Sequence, residues 1–287
     1  MPLNRLPMVG RGRWLAALLV LSTGACDALT GPRFPTDAVR FEPLPVYAEW
    51  WRVVESCAGV RGDLSAISWY QAPRATIVES LGQQADAYWT GNGNRILISF
   101  DRLGDGQLVR HEMLHALLRV GGHARAHFMQ RCAGVVACRG ECLLQAGNAP
   151  VASPSARRVP PESLEVWSEV TPSAPGSATW GGFLMLTVQA RNPYDEPVVL
   201  LLPPSGDAGE PASFSFTAVS RSSWMRYDAR ADDGGVLLFA PHERKQMVFD
   251  FSLGPRLAPF HLDPGDWVMR GSYGEHQGAA VAVTIAP

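Results

Sequence analysis

The stretch from Leu108 to Leu118 constrains this chain more than any other part of its sequence. It places His111, Glu112 and His115 within an apolar run, and residues four apart lie on the same face of an α-helix. Both imidazoles can therefore point at one metal ion. Glu112 lies about 100° around such a helix, from where its carboxylate can reach a metal-bound water. A single helix thus predicts two metal ligands and a base.

His-Glu-x-x-His is a zinc-binding signature, and residues 111–115 resemble the zincin superfamily of metallopeptidases. The resemblance implies that Zn²⁺ is the cofactor and that it lowers the pKa of a bound water to about 7. It also implies that Glu112 takes a proton from this water and later passes it to the leaving amine. The alternative is an ordinary amphipathic helix with two surface histidines. The glutamate favours the catalytic interpretation, because a site without chemistry has no need of it.

A catalytic zinc usually has three protein ligands, and the third is sought just after the helix. The glycine pair 121–122 is predicted to end the helix, since glycine tolerates the left-handed conformation found there. His123 follows at once and is the first choice, with His127 and Glu141 as alternatives. The third histidine comes later than in the metzincin motif H-E-x-x-H-x-x-G-x-x-H, so the turn is not that of a metzincin.

The N-terminus resembles a bacterial lipoprotein signal. Basic residues precede a short apolar segment, 14–21, which is followed by small residues and then Cys26. These eight apolar residues cannot span a bilayer, which needs about 20. The resemblance implies that residues 1–25 are a cleaved signal peptide and that Cys26 carries a lipid. The protein would then be anchored in the bacterial cell envelope, on its periplasmic or outer-membrane side. The alternative is ordinary cleavage after Ala25 and secretion.

Four further cysteines follow Cys26, namely Cys57, Cys132, Cys138 and Cys142. An even number of cysteines in an exported chain predicts disulfides, although the sequence does not fix their pairing. We expect Cys57 to pair with one of the other three. The competing interpretation is a second, structural zinc site built from the later cysteines and nearby histidines. Their spacing is not that of zinc ribbons, which argues against it.

Composition and turn signals divide the rest of the chain. Residues 26–43 are a Pro-rich tether, 44–147 a small zincin-like domain, 148–162 a Pro/Ser/Ala linker, and 163–287 a second domain. The net charge of −2 gives no footprint for nucleic acid, so none is expected as a partner.

Local patterns in the first domain predict a helix near residues 46–57 and strands at 67–70 and 75–78. A hairpin is predicted from 85–89 and 95–100, joined by a Gly/Asn turn. This order resembles the N-terminal subdomain of zincins, in which an edge strand holds an extended peptide beside the metal. The stretch 87–89 is the candidate edge strand; the alternative is that Tyr88 and Trp89 are core aromatics.

The second domain alternates at period two and is predicted to be an antiparallel sandwich of immunoglobulin-like type. Several segments resemble the bacterial intracellular proteinase inhibitors. They are Leu186–Asn192 before Glu196–Val198, Phe214–Phe216, Trp224, and Leu262–Gly265 leading into Trp267–Gly271. The resemblance implies the fold, and inhibitory activity is not carried over with it.

Together these patterns predict an α+β protein, with a zincin-like helix/sheet domain followed by an immunoglobulin-like sandwich. The predicted function is that of an exported, lipid-anchored zinc metallopeptidase acting on a peptide or protein. An alternative is a binding lipoprotein at the cell surface, whose sandwich recognises a partner and whose metal site is not catalytic. A third, weaker hypothesis is that the sandwich acts on peptidases, including its own.

Overall fold

The fold comes from a computed structural model, which describes residues 34–73, 77–78, 84–138, 156–171, 178–179, 182–200, 214–228, 238–253, 258–274 and 276–287. The chain is an α+β protein with a β-sandwich, which confirms the predicted class at that level. The predicted signal peptide, Cys26, Glu141 and Cys142 lie outside the described residues. No helix within the described ranges is long and apolar enough to cross a membrane.

The described residues between 34 and 138, here called the first region, include two α-helices. Helix α1 spans Val46–Ala58 and helix α2 spans Gly106–Leu118. The aromatic and aliphatic residues of α1 recur at helical spacing and bury one face, as the sequence predicted. Asp105 caps the N-terminus of α2, because its carboxylate accepts a hydrogen bond from the backbone N–H of Leu108. Short 3₁₀ turns lie at Leu64–Ala66 and Pro161–Ser163, and a π-helical turn at Ala126–Arg131.

A four-stranded sheet supports these helices. Its strands are β1 (Val39–Arg40), β2 (Ser68–Ala72), β5 (Ala87–Thr90) and β6 (Arg95–Ser99), in the order β1-β2-β6-β5. Strands β3 (Ile77–Val78) and β4 (Gln84–Ala85) form a separate ladder. The antiparallel pairing of β5 with β6 confirms the predicted hairpin. Among the described strands, β5 and β1 are the two edges of this sheet.

The second region contains two facing sheets and a small third one. The strands are β7 (Arg157–Val159), β8 (Glu165–Thr171), β9 (Ala178–Thr179), β10 (Gly182–Arg191), β11 (Val198–Leu200), β12 (Phe214–Val219), β13 (Trp224–Asp228), β14 (Leu238–Phe239), β15 (Arg244–Leu253), β16 (Phe260–His261), β17 (Gly265–Tyr273), β18 (His276–Gln277) and β19 (Val281–Ala286). One sheet has the order β16-β15-β10-β8, and the opposite one β13-β12-β17-β19-β9, with β18 beside β17. Strand β7 pairs with β11, so the predicted linker 148–162 includes a strand.

The core of the sandwich lies between the two large sheets. Phe216 on β12 meets Phe249 and Phe251 on β15, with ring centroids 4.8 and 5.0 Å apart. Residues of β15 alternate between the two sides of the sheet, so the residue between the two phenylalanines, Asp250, points away from the sandwich core. On that outer side, Val248 and Met185 join the apolar core of the first region. The first region therefore packs directly on the sandwich.

Candidate metal centre

Three histidines converge in the first region. The Nε2 atoms of His111 and His115 lie 3.1 Å apart, and that of His123 lies 3.0 Å from the first and 3.2 Å from the second. A tetrahedral metal with nitrogen ligands at about 2.0–2.1 Å separates them by roughly 3.4 Å, so the observed triangle is close to that size. His111, His115 and His123 can therefore hold a metal ion.

Backbone carbonyls orient two of the three imidazoles. Nδ1 of His111 is hydrogen-bonded to the carbonyl oxygen of Ala137, and Nδ1 of His115 to that of Val120 at 2.8 Å. A carbonyl oxygen can only accept, so the proton must be on Nδ1 of each ring. Each Nε2 then presents its lone pair toward the centre of the triad. This is the tautomer that a metal requires.

Burial keeps these imidazoles neutral. Desolvation, reinforced by the neighbouring histidines, lowers the pKa of His111 to about 3. Desolvation is also the main reason that the pKa of His115 falls to about 4. Both rings are therefore uncharged at neutral pH, and a metal ion meets no competing proton on either Nε2.

An apolar side chain covers one side of the triad. The ring of Phe128 lies 5.1, 4.7 and 5.0 Å from the rings of His111, His115 and His123, centroid to centroid. Phe128 is fully buried in the π-helical turn. A disulfide between Cys57 and Cys132 ties this turn to helix α1. The pairing agrees with the expectation that Cys57 bonds to a cysteine of the later cluster. Cys138 is also disulfide-bonded.

The turn after α2 brings His123 to the other two histidines. The sequence predicted that the helix continues past Arg119 and stops at the glycine pair 121–122. That prediction is wrong, because α2 ends at Leu118 and Arg119 itself adopts the left-handed conformation, with φ 58°. The early turn folds the carbonyl of Val120 back onto His115. The helix end and this contact with one histidine of the triad thus occur together.

Two further side chains stand beside the triad. Glu112 is 5% exposed and occupies the helix position between the ligands, as the motif requires. The indole of Trp89 on β5 lies parallel to His115, with ring centroids 6.3 Å apart and an interplanar angle of 7°. Its Nε1–H donates to Oδ1 of Asn94 at 2.8 Å, which fixes the ring.

The other candidate residues lie elsewhere. His127, the alternative ligand, is in the π-helical turn and does not belong to the convergent group. Tyr88 faces the opposite side of the sheet from Trp89, in a small cluster with Leu97. Sequence reasoning missed Phe128 and the Ala137 carbonyl, because neither belongs to a motif.

Comparisons with known proteins add little to this picture. No family model and no curated protein matches the chain. Among solved structures, an alkylpurine DNA glycosylase from Pseudomonas fluorescens is 8% identical over 44% of this chain and 31% of its own, with a TM-score of 0.30.

Two further solved structures are similarly remote. A CARDB domain from Pyrococcus furiosus is 11% identical over 44% of this chain and 97% of its own, with a TM-score of 0.25. The putative ApaA protein of Bordetella pertussis is 19% identical over 43% and 86%, with a TM-score of 0.23. Similarities of this size indicate nothing about function. We therefore infer the function from the site itself.

Proposed function

We propose that this protein is an exported, lipid-anchored zinc metallopeptidase. The observation that carries the proposal is the convergence of three Nε2 atoms within 3.2 Å of one another, two of them from the helix that also carries Glu112. Three imidazole ligands leave a fourth position for water or substrate, which is the arrangement of catalytic rather than structural zinc. The lipid anchor rests on the sequence of the first 26 residues.

The residues of the chain have separate tasks in this mechanism. The carbonyls of Ala137 and Val120 orient two ligand rings, and Phe128 excludes water from one side of them. A zinc ion held by the three histidines would polarise the carbonyl of the scissile peptide bond and lower the pKa of a water. The carboxylate of Glu112 accepts a proton from the attacking water and later passes it to the nitrogen of the leaving amine.

The edge of the sheet supports a peptide as substrate. Strand β5 pairs on one side with β6 and is one of the two outermost described strands of its sheet. Its Trp89 lies beside the ligand His115. An extended peptide that adds to this edge by main-chain hydrogen bonds would lie near the metal. Such binding depends little on the peptide's side chains.

Glu112→Gln tests the chemistry directly. The variant should keep its zinc, because Glu112 is not a ligand, while peptide cleavage falls by about 10²–10⁴-fold through loss of the general base. Cleavage can be measured by mass spectrometry on a peptide library, with elemental analysis of zinc on the same sample. Glu42→Gln, at an exposed glutamate, is the matched control and should cleave normally. Equal cleavage by the Glu112 variant and the parent would refute the mechanism.

The anchor has its own test. Cys26→Ser should move the protein from the membrane fraction to the soluble fraction, since the lipid requires the cysteine thiol. A variant that stays with the membranes would show that Cys26 carries no anchor. This result would leave the metal chemistry untouched.

One observation favours the binding lipoprotein as a second candidate. Trp224, Val219 and Val268 are cross-strand neighbours and are 73%, 48% and 49% exposed. A contiguous exposed apolar group of this kind is typical of contact surfaces. A photo-crosslinking residue at position 224 should then trap one discrete partner in envelope preparations. The same residue at exposed Thr284 is the control, and equal labelling at both positions would reject this candidate.

A further inference from the structure

A buried ion pair links the metal-binding helix to the sandwich. Arg110 immediately precedes His111 on α2 and is fully buried. Its two terminal nitrogens donate to the two carboxylate oxygens of Asp250 at 2.8 and 2.9 Å. Its Nε donates to the carbonyl oxygen of Val135 at 2.7 Å. All three nitrogens of the guanidinium are therefore engaged, two by the sandwich and one by the loop after the π-helical turn.

Asp250 reaches the helix because of its place on β15. Its neighbours Phe249 and Phe251 point into the sandwich core, so Asp250 points to the outer side. Helix α2 approaches very closely there. A Cβ at Gly106 would lie 2.4 Å from a carboxylate oxygen of Asp250, so any larger residue here would force that carboxylate to move. The close approach of α2 to β15 therefore depends on a glycine at position 106 beside Asp250.

The same two elements hold the loop 133–137. The carbonyl of Gly134 accepts a hydrogen bond from the N–H of Val248 on β15 at 3.0 Å. A Cβ at Gly134 would lie 2.0 Å from the carbonyl oxygen of Gln246, so the loop rests directly on the strand. The N–H of Ala137 donates to the carbonyl of Gln107 on α2 at 3.0 Å. Helix and strand thus fix the loop from two sides.

This loop ends at the carbonyl that orients His111. Ala137 accepts the hydrogen bond from Nδ1 of His111, two residues after the carbonyl that Arg110 holds. A continuous path therefore runs from Asp250 through Arg110 and the loop to a metal ligand. We infer that Arg110 and Asp250 are positioning residues, by which the sandwich sets the orientation of His111 for the metal.

Stability alone is a poor reason for such a pair. Buried ion pairs are often no more stabilising than apolar residues of similar volume, because both charges must be removed from water. Their value lies in fixing one geometry. Hydrogen-bond partners behind metal ligands commonly change metal affinity by about 10–100-fold when they are altered. The pair adjoins a ligand, where fixed geometry matters most.

The test compares three variants, and it rests on the proposed metal site. Asp250→Asn removes the charge, and Arg110→Met with Asp250→Leu replaces the whole pair by apolar side chains. Phe249→Leu is the matched control, because it weakens the sandwich one residue away without touching Arg110. Zn²⁺ affinity is measured by chelator competition, and ligand geometry by the visible absorption of the Co²⁺ form. The unfolding temperature of each variant is recorded in parallel.

We expect Asp250→Asn to weaken Zn²⁺ binding by about 10-fold, the lower end of the range for direct partners of metal ligands, because Asp250 acts on His111 through Arg110 and the loop, and we expect the Co²⁺ spectrum to change. The double variant should recover the unfolding temperature but not the affinity, since it lacks the donor to Val135. Phe249→Leu should lower the unfolding temperature and leave the affinity unchanged. Parental affinity and spectrum in the double variant would overturn the inference while leaving the metal site intact. Failure of the parent to bind either metal would overturn the proposed function instead.

Discussion

The two sides of the sheet β16-β15-β10-β8 hold their neighbours in different ways. On the inner side, Phe249 and Phe251 pack against Phe216 of the opposite sheet within an apolar core. On the outer side, Val248 supplies apolar contact, but Asp250 adds an ion pair with the helix that carries His111 and His115. Apolar packing permits small shifts of one side chain against another, whereas a bidentate ion pair fixes both partners in one geometry. The inner side therefore supplies stability, and the outer side also supplies position.

Phe251→Ala should have the largest effect on stability. Deleting a fully buried phenylalanine typically lowers the free energy of unfolding by about 3–5 kcal/mol. Because the first region packs on the same sheet, we expect amides of α2 and of the sandwich strands to lose hydrogen-exchange protection together. Val219→Ala, at an exposed position, is the control and should change stability by less than about 0.5 kcal/mol. Protection lost in the sandwich but kept in α2 would show that the two sides are not coupled.

Removing the disulfide should have the next largest effect, and it should act on the first region. Cys57 and Cys132 are 75 residues apart in the chain, so the bond restricts the unfolded state strongly. Replacing both by alanine should lower the free energy of unfolding by about 2–5 kcal/mol, as measured in guanidinium. Zinc should also dissociate faster, because Phe128 loses the tie that holds its turn. An unchanged dissociation rate would mean that the sandwich alone keeps the triad in place.

Arg119→Gly should have the smallest effect. The left-handed conformation costs a residue with a side chain about 1–2 kcal/mol, and glycine regains part of this while adding flexibility to the unfolded chain. We expect a gain of about 1 kcal/mol or less, with zinc affinity unchanged, because the Val120 carbonyl stays in place. Arg119→Ala is the comparison, since it removes the same side chain but keeps the backbone strain. A loss of the proposed peptidase activity in both variants would show instead that the Arg119 side chain acts in the site.

Local patterns predicted the elements around the site, and contacts distant in sequence decided the rest. The spacing of apolar residues predicted α1 and the hairpin β5–β6, because both depend on neighbours in sequence. The end of α2 was mispredicted, since the contact between Val120 and His115 outweighs the preference of glycine for such a turn. His123 was preferred because a third ligand was required, and the turn at Arg119 delivers it.

The link between the two regions could not be predicted from the sequence. Arg110 and Asp250 are 140 positions apart, and alternation along β15 assigns Asp250 to an outward position where a polar residue is ordinary. The buried arginine was equally inconspicuous in a helix with polar residues on other faces. Arg110 and Asp250 form a pair only because α2 packs against β15, and no sequence motif predicts that packing.

Metal stoichiometry tests the central claim most directly. The soluble form, residues 27–287, should be purified and its zinc measured by elemental mass spectrometry beside the His111→Ala/His115→Ala variant. We expect about one zinc per chain in the parent and none in the variant, since the triad supplies the three ligands of one site. No zinc in the parent, even after incubation with excess metal, would contradict it and favour the binding lipoprotein.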